Sequence, residues 1–499
     1  MKFLRLFIAF TLFASIVGCR SRVEFPGSNV DLMFSADTVY LDTVFTGLGS
    51  STRILKVFNP TSENITVNRV YLGRGASSYY RLNVDGISGK DVEDIEILAH
   101  DSTYVFIEVS PDAAGATELI YKDSILFENG SVQQHVDLIT TVQDAIYHFP
   151  TNVLTIERPS PFPPLQLAYS ILGENEVWDN SRPHVIYGYA VVDSAHTLTI
   201  TQGTQVHFHQ GSGIWVYRDG ALYVDPGNTS DIHNAVVFQG DRLEPSYEWV
   251  PGQWGGLLGG VFIQGGASSV AELNNLIIKN ATTALRIDSA WGSSANAELH
   301  NVLITHSSRV GIYGGFANLR ATNLAIGPSG VYGLYGLGGN YRLDHATLRN
   351  SWSFSSRGGT ALGFVNFFED ANGTRYTRPV SALLTNTYIG GNLPNEVALG
   401  IDSTEVFSVQ FRNSALKIEP NPEAEHYSLS DTSMFSQCLT NQTWNFISSS
   451  LIPEQQWKFI PDSVSTLFNN SSPSGITPAE DLLGVYRTVP GTIGAVECP

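Results

Sequence analysis

Hydrophobic and polar residues alternate in short runs between residues 31 and 144. In residues 65–67 (Ile-Thr-Val), for example, one polar side chain separates two apolar ones. Alternation with a period of two is typical of half-buried β-strands. The Asn-Pro pair at 59–60 and the Asn-Gly pair at 129–130 mark turns between such runs. About seven short strands in a segment of about 110 residues predict one β-sandwich.

An internal repeat follows, in which an apolar residue precedes Asn or His by two positions and Ile or Leu comes three positions later. Six copies at intervals of about 22 to 27 residues, with one longer interval, predict solenoid coils whose like side chains stack about 4.8 Å apart. We interpret the central polar residues as coil corners whose amides bond the backbone and one another. These residues are Asn275, Asn301, Asn323, His345, Asn386 and Asn413.

Further apolar runs form one series with this repeat. They lie at residues 198–208, 213–216, 220–224, 235–238 and 251–256, and again at 481–487 and 493–497. The first group resembles the opening coils of right-handed parallel β-helix proteins of the pectate-lyase-like superfamily, and the second resembles their closing segment. That superfamily holds lyases, hydrolases, epimerases, adhesins and inert scaffolds, so the resemblance implies a fold more than a function. The spacing of residues 55–60 before the next strand resembles, in architecture, the immunoglobulin-like modules found beside many bacterial envelope domains.

The N-terminus has the features of a lipoprotein signal. Lys2 and Arg5 precede an apolar run at 6–17, which is too short to span a bilayer, and residues 16–19 read Ile-Val-Gly-Cys. These four residues resemble the bacterial lipobox, which implies lipidation of Cys19. The resemblance implies a Bacteroidota-like lipoprotein of the outer membrane, and we expect the cell surface rather than the periplasmic face.

The expected fold class is therefore all-β, with an N-terminal Ig-like β-sandwich followed by a right-handed parallel β-helix and a C-terminal cap. The expected segments are a signal peptide at 1–18, a tether at 19–30, the sandwich at 31–144, a connector and N-terminal cap at 145–189, the β-helix at 190–430 and the C-terminal cap at 431–499.

Charge limits the partners. The chain has 28 Lys and Arg against 47 Asp and Glu, a net charge of −19. Such a surface repels a polyanion, so nucleic acid is not an expected partner. No cofactor is expected either. His207 and His209 lie two positions apart, but the sequence offers no recognisable third ligand, so no metal site is predicted.

The longest interval of the repeat, between His345 and Asn386, holds about nineteen extra residues. Long excursions from a rigid scaffold are where binding groups collect. We therefore expect ligand contacts in this insertion, although its aromatic side chains could equally pack it onto the coils. The candidates are Trp352, Phe354, Arg357, Asp370, Arg375 and Tyr376.

Two cysteines remain after Cys19. Cys438 and Cys498 both lie near the C-terminus. The envelope is oxidising, so we expect a disulfide that closes a loop of about sixty residues over the last coil. The alternative is a pair of buried thiols.

The leading functional hypothesis is a noncatalytic envelope lipoprotein that binds a glycan or an envelope protein, and a more specific version makes it an accessory subunit of an outer-membrane β-barrel complex. The alternative is a polysaccharide lyase or glycoside hydrolase of β-helix fold. The insertion offers acids and arginines, but the family's motif of Asn-x-Asp followed by Asp-Asp is absent. No catalytic residue is therefore assigned.

Overall fold

The structure, a computed structural model, describes residues 24–26, 29–112, 119–158, 162–227, 232–288, 296–419, 427–447, 459–472 and 478–498. The regular secondary structure in these ranges consists of β-strands and three short 3₁₀ helices. The helices are Gly75–Ser77, Ile232–Asn234 and Pro245–Tyr247. The expected all-β class is confirmed. None of the helices in the described ranges is long and apolar enough to cross a membrane.

The chain divides into two compact units, Met1–Asp144 and Ala145–Pro499, at the boundary expected from the change in sequence pattern. The strands of the N-terminal unit are β1 (Met33–Phe34), β2 (Thr38–Phe45), β3 (Arg53–Phe58), β4 (Ile65–Leu72), β5 (Tyr80–Val84), β6 (Ile87–Gly89), β7 (Asp91–Ile97), β8 (Ser102–Val109), β9 (Ile120–Asn129) and β10 (Val132–Gln143).

Two five-stranded sheets form the N-terminal unit. Their strand orders are β1-β3-β8-β5-β6 and β2-β10-β9-β4-β7. The alternation seen in the sequence puts one side chain in two on the inner face. Leu55 and Val105 from one sheet and Ile125 and Val136 from the other belong to a single buried cluster, so the two sheets share one core.

The other 28 strands found in the described ranges belong to the C-terminal unit. The first fourteen are β11 (Ile146–His148), β12 (Asn152–Ile156), β13 (Leu165–Ile171), β14 (Asn175–Trp178), β15 (His184–Ile186), β16 (Tyr189–Val192), β17 (Thr197–Ile200), β18 (Gln205–Phe208), β19 (Gly213–Val216), β20 (Ala221–Val224), β21 (Val236–Gly240), β22 (Val261–Gln264), β23 (Val270–Lys279) and β24 (Thr283–Asp288). The remainder are β25 (Ala297–Thr305), β26 (Val310–Ile326), β27 (Tyr332–Asp344), β28 (Thr347–Asn350), β29 (Leu362–Val365), β30 (Phe367–Glu369), β31 (Arg375–Thr377), β32 (Val380–Thr385), β33 (Tyr388–Gly391), β34 (Val397–Gly400), β35 (Phe407–Arg412), β36 (Ala415–Leu416), β37 (Phe435–Ser436) and β38 (Leu439–Thr440).

All of these strands except the β30–β31 hairpin belong to one 26-stranded sheet. Apart from the antiparallel pair β12–β13, its strands pair in parallel with strands about three places further along the chain, which creates three columns of stacked strands. Column A contains β14, β17, β20 and β23 and ends at β37. Column B contains β15, β18 and β21 and ends at β38, and column C runs from β13 through β16, β19, β22 and β24 to β34. The long strands β23, β25, β26 and β27 pass through more than one column.

The repeated asparagines occupy the corner between columns A and B, as expected. Asn275, Asn301 and Asn323 all have positive φ, which Asn tolerates better than most residues. The Asn301 side chain donates to the Asn275 amide oxygen at 3.1 Å, and Asn323 donates to Asn301 at 2.8 Å. The amide ladder is interrupted at His345, whose ring instead contacts Asp344 at 2.8 Å.

The C-terminal segment differs from the expected cap. Columns A and B continue to β37 and β38, so residues 435–440 belong to the columns although they were expected in the cap. At the other end, β11 and β15 begin column B before residue 190, the expected start of the β-helix. Phe459 and Ala495 pack with Leu303 and Ala325 of column B, so residues 459–472 and 478–498 lie along the side of column B. These residues carry an apolar surface, which is better buried against a long sheet face than at one coil.

Candidate functional site

The structure places the six candidate insertion residues on two different turns of the coil. Trp352, Phe354 and Arg357 lie between β28 of column B and β29 of column C. Asp370, Arg375 and Tyr376 lie in or beside the β30–β31 hairpin, between column C and column A. The insertion therefore does not form one compact site, and its two halves lie on either side of column C.

Trp352 and Arg357 are not available to a ligand, which corrects the expectation from the sequence. Trp352 is 5% exposed, and its Nε1 donates to Ser355 Oγ at 3.1 Å. The Arg357 side chain is 3% exposed and forms a 2.6 Å ion pair with Glu396, whose side chain is 0% exposed. Arg357 is the partner that a buried carboxylate requires, because an unpaired buried charge is costly.

The other candidates are exposed, but their polar groups already bond one another. Arg375 contacts Glu369 at 2.8 Å and Asp402 at 3.1 Å. The Asp370 carboxylate accepts the N–H of Thr374, which lowers the pKa of Asp370. Tyr376 stacks on Phe368, and Phe354 is 51% exposed. The hairpin contacts therefore explain its local fold without a ligand.

A more continuous surface lies on the outer side of column C. Five residues on successive strands stand at the same register, as Trp215 pairs with Phe262, Phe262 with Arg286, Arg286 with Tyr313, and Tyr313 with Tyr335. We call these five residues the aromatic strip. Inward-facing apolar neighbours, such as Ile312 beside Tyr313, are buried in the core, so alternation along each strand directs the strip away from that core. Phe262 is only 6% exposed, and the other four members of the strip are half-buried.

The members of the strip contact one another in order. The ring centroids of Trp215 and Phe262 are 6.2 Å apart, and those of Tyr313 and Tyr335 are 5.9 Å apart. The Arg286 guanidinium lies between these pairs, with its carbon 4.7 Å from the Phe262 centroid and 5.8 Å from that of Tyr313. The strip is thus a ribbon of rings with one stacked guanidinium.

Polar groups border the strip on its column A side. The Arg286 guanidinium forms a 2.7 Å ion pair with Asp288, two residues further along β24. Trp215 Nε1 donates to the Gln264 side chain at 3.2 Å. Partial burial raises the pKa of Tyr335 to about 12, so its hydroxyl is a neutral donor at physiological pH.

A cleft of about 540 Å³ adjoins the strip on the column B side. Its walls are residues 255–259, the starts of β24 and β26, and the Arg286 and Arg309 side chains. The Tyr189 hydroxyl holds the wall in place, because it donates to Gly259 O at 2.8 Å and accepts the Leu258 N–H at 3.2 Å. None of the described residues that line the cleft is Asp or Glu.

Two glycines are required by this wall. Gly255 and Gly259 have φ values of 80° and 96°, a region that a side chain disfavours. A Cβ atom on Gly255 would also lie 2.9 Å from the backbone of Gly260. The glycine-rich sequence at 255–260 is therefore the local reason that the chain can turn tightly around the cleft.

The predicted disulfide between Cys438 and Cys498 is not formed, and both side chains are thiols. Cys438 packs against the core of the coils and its Sγ contacts Phe411 O at 3.3 Å, whereas Cys498 is buried in the C-terminal segment, where its N–H donates to Thr492 Oγ1. Burial raises the pKa of both thiols. Because the C-terminal segment lies beside column B rather than over the last coil, the premise of the disulfide prediction does not hold.

Other predicted features have different outcomes. Cys19, the expected lipidation site, lies outside the described residues. The buried His207 ring contacts Gly240 O at 3.1 Å, whereas the exposed His209 pairs with Asp241 at 2.7 Å. No group of three or more His, Cys, Asp or Glu side chains suited to a metal ion occurs in the described ranges.

The aromatic strip was missed at the level of sequence. Its members are 22 to 47 residues apart, and each sits alone between apolar neighbours, as in Ile-Tyr-Gly at 312–314 and Leu-Tyr-Gly at 334–336. Aligning the second apolar run of every coil, instead of searching only the longest insertion, would have revealed the series.

No family model and no curated protein matches this chain. One partly similar solved structure is a family 123 glycoside hydrolase from Clostridium perfringens, with 11% identity and a TM-score of 0.17; the match covers 24% of this chain and 31% of that one, so this chain spans about a third of that enzyme. Another is the catalytic unit of a thermostable GH87 α-1,3-glucanase from Streptomyces thermodiastaticus strain HF3-3, with 10% identity, a TM-score of 0.27, and coverage of 78% and 88%. TM-scores this low carry no argument about fold or function.

Proposed function

We propose that this chain is a noncatalytic envelope protein that binds a glycan along its aromatic strip. The observation that carries the proposal is the register of Trp215, Phe262, Arg286, Tyr313 and Tyr335 on adjacent strands. At about 4.8 Å per strand, the strip extends about 19 Å, which accommodates several sugar rings. Sugar rings present apolar C–H faces to aromatic rings and hydroxyl groups to a polar border.

The groups beside the strip suit hydroxyl recognition. The Tyr335 hydroxyl, the Gln264 amide and the Asp288 carboxylate provide both donors and acceptors close to the rings. A rigid parallel sheet holds them at fixed spacing, so little conformational entropy is lost on binding. These features favour recognition of an extended neutral or weakly charged glycan chain.

The detailed fold of each unit is part of the same proposal. We infer that the N-terminal unit is an Ig-like β-sandwich and that columns A, B and C are the three sheets of a right-handed parallel β-helix. The support is the single shared core of the first unit and the repeated parallel pairing in the second. An experimental structure that gave a left-handed coil would contradict this inference.

The anchor is a proposal from the N-terminal sequence. We infer that Cys19 carries the lipid that holds the chain on the outer membrane, with the binding unit at the cell surface. Cys19→Ala should abolish lipid labelling and release the protein from the membrane fraction. Continued labelling of this variant would contradict the assignment.

The test of the glycan proposal is a comparison of half-buried aromatic residues on the strip with an exposed one off the strip. Tyr313→Ala and Tyr335→Ala should each weaken binding to the glycans identified on a mixed glycan array by about tenfold or more. Tyr376→Ala is the matched control, because Tyr376 lies in the separate β30–β31 hairpin. Equal affinity of the wild type and both strip variants, or no glycan binding by the wild type, would overturn the proposal.

One observation favours an enzyme as the second candidate. Arg286, which lines the cleft, forms an ion pair with Asp288 on the opposite border of the strip, and an arginine next to an acid is an arrangement that a polysaccharide lyase could use. Release of oligosaccharides by the wild type, lost in Asp288→Asn while glycan affinity is retained, would establish catalysis. If the wild type cleaves none of the glycans that it binds, the noncatalytic binding role stands and the enzyme candidate is excluded.

A protein partner is the remaining version of the hypothesis. We infer that the envelope protein would be an outer-membrane β-barrel for which this chain is an accessory subunit. Copurification after extraction in mild detergent, with identification of both bound proteins and bound glycans, separates this version from glycan binding alone.

A further inference from the structure

A second ladder of side chains lies on the outer face of column A, away from the aromatic strip. Glu272, Glu298, Arg320 and Arg342 stand at the same register on β23, β25, β26 and β27. The order is two carboxylates followed by two guanidiniums. The next positions in the register, Leu383 and Gln410, are uncharged.

The charges in this ladder do not balance locally. Arg320 pairs with Glu298 at 3.5 Å. Arg342 has no ion-pair partner among the described residues. Its register neighbour is Arg320, which carries the same charge. Two guanidiniums on adjacent parallel strands are about 4.8 Å apart at the backbone, and like charges in directly neighbouring positions destabilise a sheet. An anion placed between them would remove this repulsion.

A groove of about 490 Å³ surrounds the two arginines. Its polar lining includes Asn340, Ser381, Ser408 and Gln410, which all carry hydrogen-bond donors. None of the described residues that line this groove is Asp or Glu, in a chain whose net charge is −19. On the other side of the same two arginines, a cavity of about 320 Å³ is lined by Glu272, Glu298 and Asp344, and Glu298 pairs with Arg320. The groove therefore combines the Arg342 guanidinium, which forms no ion pair with the described residues, with neutral donors.

We propose that this groove on column A binds an oxyanion, a phosphate or sulfate ester, through Arg320 and Arg342. Guanidinium groups donate two parallel hydrogen bonds to such oxygens, and the Ser381 and Ser408 hydroxyls can donate to the remaining ones. One such group suits the site better than a polyanion, because the rest of the acidic surface repels further negative charge. This site is separate from the aromatic strip and does not depend on the glycan proposal.

The first test is thermal unfolding of the full chain in phosphate and in NaCl of equal ionic strength. Phosphate in excess of its Kd should raise the midpoint of the C-terminal unit by about 2 °C or more relative to NaCl. Arg342→Gln should abolish this difference and weaken phosphate binding, measured by calorimetry, by about tenfold or more. Arg81→Gln, which removes an exposed arginine of the N-terminal unit, is the matched control and should keep the full response.

The second test separates the sources of the oxyanion. Glucose 6-phosphate, a sulfated monosaccharide and vesicles containing an anionic phospholipid each present the group on a different carrier. Binding of any one of them that is lost in Arg342→Gln but kept in Arg81→Gln supports the site and identifies its class of ligand. Equal midpoints in phosphate and NaCl for the wild type, or an unchanged phosphate response in Arg342→Gln, would overturn the proposal.

Discussion

The two units of the molecule differ in how deeply some of their ion pairs are buried, although the C-terminal unit also has exposed pairs such as Arg320–Glu298. In the N-terminal unit the ion pair between Arg69 and Asp91 is exposed, with 39% and 48% of the side chains accessible. In the C-terminal unit both members of the Arg357–Glu396 and Arg487–Glu497 pairs are at most 3% exposed. The polar side chains buried in the first unit include neutral, hydrogen-bonded ones such as Asn59 and Thr140, whereas the second unit also depends on buried charges that must keep their partners.

This difference follows from how each core closes. The N-terminal unit has two sheets whose inner faces cover each other. The columns of the C-terminal unit leave long turns and a C-terminal segment that pack on the outside of the coils, where backbone and side-chain polar groups become buried. Buried polar groups need partners, so buried ion pairs and hydrogen bonds occur where those segments meet the coils.

The largest expected effect comes from removing one member of a buried pair. Arg357→Ala leaves the Glu396 carboxylate buried without its guanidinium and should lower the free energy of unfolding of the C-terminal unit by about 3–5 kcal/mol. Arg69→Ala, which breaks the matched exposed pair in the N-terminal unit, should have a much smaller effect, because solvent screens both charges. Urea unfolding of both variants, followed unit by unit, measures the contrast, and similar costs would contradict it.

The next effect concerns the corner ladder, which has no counterpart in the described part of the N-terminal unit. Asn301→Ala removes the amide that donates to Asn275 and accepts from Asn323, at a residue with φ of 54°. We expect a loss of about 2–4 kcal/mol from the hydrogen bonds and the strained backbone together. Asn301→Gly relieves the backbone strain but not the lost bonds, so it should be less destabilising than Ala. Equal stability of Ala and wild type would show that the ladder is dispensable.

Acid should also distinguish the units. Burial lowers the pKa of His184 and of His207 to about 4, from an ordinary value near 6.5. Because the folded form binds the proton more weakly than the unfolded chain, the stability contributed by the neutral rings is present above about pH 6.5 and is lost as the pH falls toward 4. The cost at pH 4.5 is on the order of 2 kcal/mol for each ring.

The two histidines of the N-terminal unit, His100 and His135, are exposed. Protonation of these two histidines should therefore change the unfolding free energy of the N-terminal unit less over the same pH range. His207→Gln should flatten the pH dependence of the C-terminal unit, and an unchanged slope between pH 7 and pH 4.5 in this variant would contradict the assignment.

The smallest effect is expected at the exposed part of the insertion. Tyr376→Ala truncates a side chain that is 40% exposed in the β30–β31 hairpin and should change the unfolding free energy by less than about 0.5 kcal/mol. Trp352→Ala, in the other half of the insertion, should cost about 3–5 kcal/mol because that ring is buried. Thermal melts of the two variants would show whether the halves differ as their burial indicates.

Local sequence patterns were sufficient for the strands and the corners. Alternation in residues 31–144 predicts the half-buried strands of the first unit, because each side chain's face depends only on its neighbours. The asparagine spacing predicts the corners at Asn275, Asn301 and Asn323. Each corner needs a residue that tolerates positive φ followed by an apolar run, and both features can be seen in a short stretch of sequence. The all-β class follows from the same local information.

Only the tertiary structure decided which residues share a surface. Trp215 and Phe262 are 47 residues apart in the chain yet pair directly, because the length of each turn sets the register of the next coil. Arg357 and Glu396 meet across 39 residues, which turned a candidate ligand contact into a buried structural pair. Burial and register depend on the path of the whole coil, and no short stretch of sequence contains that path.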